Sequence, residues 1–221
     1  MIYELRIGEV MPGKLRVLVD RMGNQVVDLF KKHGIGMVGF WTDDVGTTNR
    51  LTYILSFEDM GDRERKFDAL RGDPDWERVL KEEREREGLV VDRAHNRLLR
   101  LTSYSPEPGV SSNVNVNELR TYEAMPGKLP ILHERFANYT DGLFKKHGME
   151  VVAYWTEEVG TSDQLVYMLG YPGLGHREES FASLATDPVW LKALQESEMD
   201  GPLLKRVHSR MLRPTAYSPR R

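Results

Sequence analysis

Glu4 and Arg6 stand one residue apart in the stretch IYELRI, and the same pair returns as Glu118 and Arg120 in VNELRT. Side chains alternate between the two faces of a β-strand, so residues two apart point the same way. An arginine fork can hold a carboxylate or an enolate, and a neighbouring carboxylate can take a proton from it. Glu4 and Glu118 are therefore candidate catalytic bases, with Arg6 and Arg120 as candidate ligand-binding residues. The competing structural reading is a set of salt bridges that fixes how two halves of the molecule dock, because buried charges must be paired or hydrated.

The same spacing occurs in His95-x-Arg97 and His208-x-Arg210. His95 and His208 join the catalytic candidates and Arg97 and Arg210 the ligand-binding ones, against the alternative of a solvent-exposed sheet edge. Trp41 and Trp155 read as the ends of second strands, on the same side as the small residues Gly39 and Ala153. An aromatic wall beside a small residue suits a flat ligand, so both tryptophans are ligand-binding candidates, although ordinary core packing explains them as well. Tyr53 and Tyr167 read as core residues whose hydroxyls are satisfied at the edge.

Other chemistry is excluded by type and spacing. His133 stands where the first half has Val19, and His176 where it has Asp62; neither has a metal-ligand partner at motif spacing, and no metal is expected. There is no P-loop, dinucleotide glycine motif, HExxH or nucleophile elbow, so no cofactor is expected. The chain lacks cysteine, which removes disulfides and thiolate chemistry together.

These residues come in pairs because the chain does. The hexapeptide LFKKHG occurs at Leu29–Gly34 and again at Leu143–Gly148. The shift that carries His33 onto His147 also superposes MPGKL at Met11 and Met125, Trp41-Thr42 on Trp155-Thr156, and Asp73-Pro74 on Asp187-Pro188. After one deletion near residue 90, Tyr104-Ser105-Pro106 falls on Tyr217-Ser218-Pro219. Two copies of one domain follow, at residues 1–106 and 114–221, joined by a Pro-, Gly- and Ser-rich linker at 107–113.

Within one copy, IYELRI alternates as a strand. Leu15, Leu18, Val19, Met22, Val26, Leu29 and Phe30 then step by three and four along a helix. Lys31-Lys32-His33-Gly34 stops it, with cations at the negative end of the dipole and glycine in the left-handed cap. Two strands, MVGFW and RLTYILSF, follow across a turn, then helices over Asp62–Leu70 and from Asp73-Pro74, then a last strand over Leu89–Leu101. This β-α-β-β-α-β order is the ferredoxin-like motif. Its helices cover one sheet face, and a second identical sheet is the natural cover for the other; if Leu5 faces the helices, Glu4, Arg6, Glu118 and Arg120 face that second sheet. The expected fold is α+β: two tandem ferredoxin-like domains packed sheet to sheet as an intrachain α+β barrel.

The charge balance, 31 Lys plus Arg against 34 Asp plus Glu for a net of −3, argues against a general nucleic-acid or membrane-surface binder. With no leader-like or membrane-length apolar run, a cytoplasmic protein is expected.

The motifs IYELR, MPGKL, LFKKHG, GFWTDDVGTTNRL, DPDW and YSP together resemble the NIPSNAP domain, and the second copy repeats nearly all of them, with Asn117 in place of Tyr3. The resemblance implies the dimeric α+β barrel superfamily, which includes cofactor-independent monooxygenases, haem-handling enzymes and lactone isomerases; it brings no shared catalytic residue set. The expected function is small-molecule binding, as a cofactor-independent enzyme acting on a small aromatic, acyl or polyketide-like metabolite. A non-catalytic interaction or scaffold protein and a haem-handling protein remain as alternatives, and whether the chain is an enzyme stays open. The expected partner is a small-molecule ligand, without nucleic acid or membrane; self-association of such pseudo-dimeric chains into a homo-oligomer also stays open.

Overall fold

Strand β1 (Ile2–Val10) lies between β3 (Arg50–Phe57) and β4 (Val91–Leu101), antiparallel to both, and β3 pairs in turn with β2 (Gly36–Val45). The order across this sheet is β4-β1-β3-β2. Its helices are α1 (Leu15–Arg21), α2 (Val27–Lys32), α3 (Met60–Arg71) and α4 (Pro74–Glu87). The second repeat follows the same path with β5 (Val116–Ala124), α5 (Leu129–Arg135), α6 (Asp141–Lys146), β6 (Glu150–Val159), β7 (Gln164–Tyr171), α7 (Leu174–Ala185), α8 (Pro188–Ser197) and β8 (Leu204–Pro214), in the sheet order β8-β5-β7-β6. This is a mixed α+β fold of the ferredoxin-like type. The computed structural model describes residues 1–111 and 113–220; Ser112 of the expected linker and Arg221 of the expected second domain lie outside the described residues.

By contacts the chain divides into one unit of Met1–Arg100 with Arg213–Arg221 and another of Leu101–Leu212. Each repeat's terminal Tyr-Ser-Pro thus belongs to the unit built on the other repeat. In the first unit Thr215 N donates to the Phe40 carbonyl at 2.9 Å, Phe40 N donates to Ser218 Oγ at 3.0 Å, and the Tyr217 ring meets Phe40 edge-on. In the second unit Thr102 N donates to the Tyr154 carbonyl at 3.0 Å and Tyr154 N to Ser105 Oγ at 2.8 Å.

The long first helix is not uniform. A π-helical turn, Met22–Val26, joins α1 to α2, and Phe136–Thr140 does the same between α5 and α6. A π turn inserts a residue, which lets consecutive Val26 and Val27 both reach the core. It also places Gly23 under the Tyr217 ring, where a Cβ would come within 2.4 Å of the ring.

The repeated KKHG ends the helix as its composition predicts, with Gly34 and Gly148 at φ of +64° and +74°. The cations do more than meet the dipole. Asp73 caps α4 by accepting from Asp75 N, and it also takes Lys32 Nζ at 2.8 Å and His33 Nε2 at 2.7 Å. Asp187 does the same with Lys146 and His147. The hexapeptide and the Asp-Pro motif form one clasp between two helices.

Candidate functional site

The register of β1 decides what faces the helices. Arg6 pairs laterally with Tyr53 and Asn96, and Leu5 with Ile54 and Arg97. Glu4 and Arg6 lie on the side of α3, because Arg63 and Phe67 of that helix meet them. Arg63 grips the Glu4 carboxylate with two bonds of 2.8 and 2.9 Å, and Arg6 Nη1 adds a third at 2.9 Å. Arg6 Nε donates to the Tyr53 hydroxyl at 2.9 Å, and both guanidinium groups lie over the Phe67 ring. Glu4 is fully buried. Burial, the largest influence on Arg6, pulls its pKa down, but the charges of Tyr53 and Glu4 leave it raised, so Arg6 stays cationic.

The expectation that Glu4, Arg6, Glu118 and Arg120 face a second sheet is thus corrected. Period-two alternation sorts residues into two sets without saying which set meets the helices. Arg63, which sequence reasoning missed, supplies the second cation that makes a buried carboxylate tolerable under a helix. Its counterpart Arg177 was the available signal, since the two basic residues superpose.

Beside this cluster the first unit contains a chamber of about 570 Å³ between the sheet and its helices. Arg6, Gly8, Tyr53 and Asn96 form part of its sheet wall; Met22, Val26, Phe30 and Trp76 belong to its apolar helical wall. This is the volume of a small-molecule pocket, with mainly apolar lining and a few polar groups. Arg21 and Glu83 close one side as an ion pair between α1 and α4, with a smaller polar recess of about 290 Å³ beyond them. Glu83 Oε2 and Arg21 Nε are buried without a hydrogen-bond partner among the described residues.

The second unit repeats the cluster and has larger side chains where the first has the chamber; its own pocket of about 550 Å³ lies elsewhere, beside Tyr104 and His133. Glu118 takes both Arg177 nitrogens at 3.0 Å, Arg120 Nη1, the Ser209 hydroxyl and the Tyr171 hydroxyl. Burial, its largest single influence, pushes the Glu118 pKa up, but Arg177, Arg120 and Ser209 together hold it below the usual carboxylate range. Arg120 Nε donates to the Tyr167 hydroxyl at 2.8 Å, as Arg6 does to Tyr53. Where the first repeat has Gly8 and Met22, the second has Tyr122 and Phe136. The Tyr122 ring lies 5.1 Å from Tyr167 and 5.8 Å from Phe136, and its hydroxyl accepts from Arg120 Nη2 at 3.2 Å.

The other expected site residues lie elsewhere. Trp41 sits in the middle of β2, not at its end, on the Leu5 side of the sheet, and is fully buried. Its ring lies over Gly39, 2.4 Å from where a Cβ would be, so the small residue makes room for the indole and leaves no space for a ligand beside it. Trp155 is likewise fully buried within β6. His95, half exposed and 3.6 Å from Glu9, shares the Leu5 side with Arg97. His208 is exposed on β8, and Arg210 pairs laterally with Leu119. None of these six lines the chamber.

His133 is engaged differently: its Nδ1 is 2.8 Å from the Tyr104 hydroxyl, with burial lowering its pKa. At the matching place in the first unit, Val19 replaces the histidine. Among the described residues the buried Tyr217 hydroxyl has no partner within hydrogen-bond geometry, the neighbouring Thr215 hydroxyl donating instead to the Phe40 carbonyl, and burial pushes the Tyr217 pKa up to about 12.

Comparison with known proteins agrees with this twofold construction. Protein NipSnap of Drosophila melanogaster is 22% identical over 99% of this chain and 78% of its own length. A NipSnap homolog of Dictyostelium discoideum is 21% identical over 89% of this chain and 81% of its own. Among solved structures, a candidate monooxygenase from Fusobacterium nucleatum subsp. nucleatum superposes with a TM-score of 0.65 over 96% of this chain and 91% of that one, at 12% identity, a likeness of fold. The NIPSNAP family model matches residues 3–106 and again 117–219. With both repeats matched across nearly its whole length, the chain belongs to the NIPSNAP family and carries two copies of the family's domain in tandem.

Proposed function

We propose that the protein binds a small, mainly apolar metabolite in the chamber of its first repeat, and that the second repeat is the filled counterpart. One observation carries this reading: Gly8 opens onto about 570 Å³, while Tyr122 at the same position of the second sheet packs against Tyr167 and Phe136. Arg6 meets the polar end of the ligand. Glu4, whose two oxygens are both bonded, orients Arg6 and does not act as base. In the finer form of the proposal the protein is a cofactor-independent enzyme acting on a small aromatic, acyl or polyketide-like metabolite. Arg6 then stabilises a developing enolate, and Glu83, with Oε2 not hydrogen-bonded, accepts a proton.

The non-catalytic scaffold reading has the filled second repeat in its favour. The haem alternative has in its favour the pocket of about 550 Å³ in the second unit that His133 lines; against it, His133 Nδ1 is engaged with the Tyr104 hydroxyl there. A cytoplasmic location and the absence of nucleic-acid and membrane partners belong to the proposal too; among the described residues no helix is long and apolar enough to cross a membrane.

Native mass spectrometry of the freshly purified full chain tests the reading. One small molecule should be retained by the wild type and lost in Gly8→Tyr. Equal retention by both proteins would overturn it.

A further inference from the structure

The second repeat contains a side chain where the first has a chamber, and that side chain is a template for what the chamber takes. The guanidinium groups of Arg6 and Arg120 are held alike, through Nε to a tyrosine hydroxyl and Nη1 to a buried glutamate. In the second repeat Nη2 donates to the Tyr122 hydroxyl at 3.2 Å, and the guanidinium carbon lies 5.4 Å from the centre of that ring. In the first repeat the phenol is missing, and Arg6 Nη2 has no hydrogen-bond partner among the described residues. The path the missing side chain would take is clear. A Cβ built on Gly8 meets only Leu18 at 3.6 Å and the Leu51 carbonyl at 3.9 Å, both ordinary contacts.

Resting on the chamber reading above, we infer that the ligand of the first repeat is a hydroxyaromatic molecule whose ring lies where Tyr122 lies in the second repeat and whose oxygen accepts from Arg6 Nη2. Two features sharpen the class. The volume of about 570 Å³ exceeds one phenol ring, so a fused or substituted ring system fits. The cluster sets two guanidinium groups, Arg6 and Arg63, against the single Glu4 carboxylate. One positive charge is left over at the oxygen end, which favours a phenolate over a phenol. An aliphatic anion would satisfy the charge and leave the aromatic wall of Tyr53, Phe30 and Trp76 without a ring to pack on.

The probe is 4-nitrophenol, whose phenolate is coloured, compared with 4-nitroanisole, which has the same ring and no ionisable hydroxyl, and with octanoate, an aliphatic anion. The full chain should bind 4-nitrophenol about tenfold to a hundredfold more tightly than 4-nitroanisole, the range expected for a hydrogen bond to a charged group. The bound dye should stay coloured at lower pH than the free dye. Gly8→Tyr should abolish this binding, and so should Gly8→Leu, which fills the same space without a hydroxyl should the tyrosine variant misfold. Tyr122→Gly should create a second site for 4-nitrophenol on the chain.

Equal affinity for 4-nitroanisole would overturn the oxygen contact. Preference for octanoate, lost in Gly8→Tyr, would overturn the hydroxyaromatic class and leave the chamber reading intact. Binding of 4-nitrophenol that survives both Gly8 substitutions would place it outside the chamber and overturn the inference. Absence of binding by every probe, with equal retention of co-purified molecules by wild type and Gly8→Tyr, would overturn both readings.

Discussion

Replacing Arg63 by Met removes two of the three charge-assisted bonds to Glu4 while keeping most of the side chain's apolar stem over Phe67. Glu4 has 0% exposure, so water cannot take the place of the lost donors without opening the helix–sheet contact. Breaking a buried ion pair from one side costs about 3 to 5 kcal/mol, and the retained bond from Arg6 puts this case toward the lower end. The double substitution Arg63→Met with Glu4→Gln should cost less than Arg63→Met alone by about 1 kcal/mol or more. It removes the stranded charge and keeps an acceptor for Arg6 Nη1. The assay is urea denaturation followed by fluorescence in a Trp155→Phe, Trp190→Phe background. The remaining Trp41 and Trp76 then report on the first unit, whose transition need not coincide with that of the second. A loss under about 1 kcal/mol for Arg63→Met, or a double variant as unstable as the sum of its single variants, would refute this account of the buried carboxylate.

Tyr122→Gly should destabilise the second unit by about 3 to 5 kcal/mol in chemical denaturation, as expected for removing a packed ring, while Gly8→Tyr should leave the first unit no less stable. The same hydroxyl deletion should have different effects in the two units: Tyr217→Phe should be neutral or slightly stabilising, since its buried oxygen has no hydrogen-bond partner among the described residues, whereas Tyr104→Phe should lose about 1 kcal/mol with its bond to His133. Asp73 and Asp187 are held well below the ordinary carboxylate range, first by Lys32 and Lys146 and then by His33 and His147. A depressed folded pKa gives stability that is present above the unfolded value, near about 3.9, and lost as pH falls toward the folded one. Acid titrations should therefore show both clasps failing below about pH 4, and an Asp73→Asn, Asp187→Asn variant should have a flatter stability profile there.

The duplication, the element order and the helix-ending KKHG are legible in the sequence because they rest on local chemistry: alternation along β1, three-and-four spacing along α1 and α2, and glycine at a positive φ. What escapes is long-range. The face of β1 that meets the helices depends on Arg63, 59 residues away from Glu4 in sequence. Both faces of that strand mix apolar and charged residues, so apolarity alone assigned Leu5 to the wrong side. The π turns are hidden because Leu18, Met22 and Val26 also satisfy an ordinary helical stripe; only the burial of Val27 beside Val26 reveals the extra residue. The clasp between His33 and Asp73 and the position of the Tyr217 tail on Phe40 likewise join segments that no local pattern connects. The divergence of Gly8 from Tyr122 is visible in the aligned repeats. Its meaning depends on knowing that both residues face the helices.

An X-ray structure of the full chain crystallised with the molecule it retains on purification would locate the ligand directly. Density is expected for one ligand per chain, beside Gly8 with a polar atom at Arg6 Nη2, with the Tyr122 ring on Arg120 in the second repeat. Ligand density in both repeats with Tyr122 swung aside, or at a place away from Gly8, would contradict it.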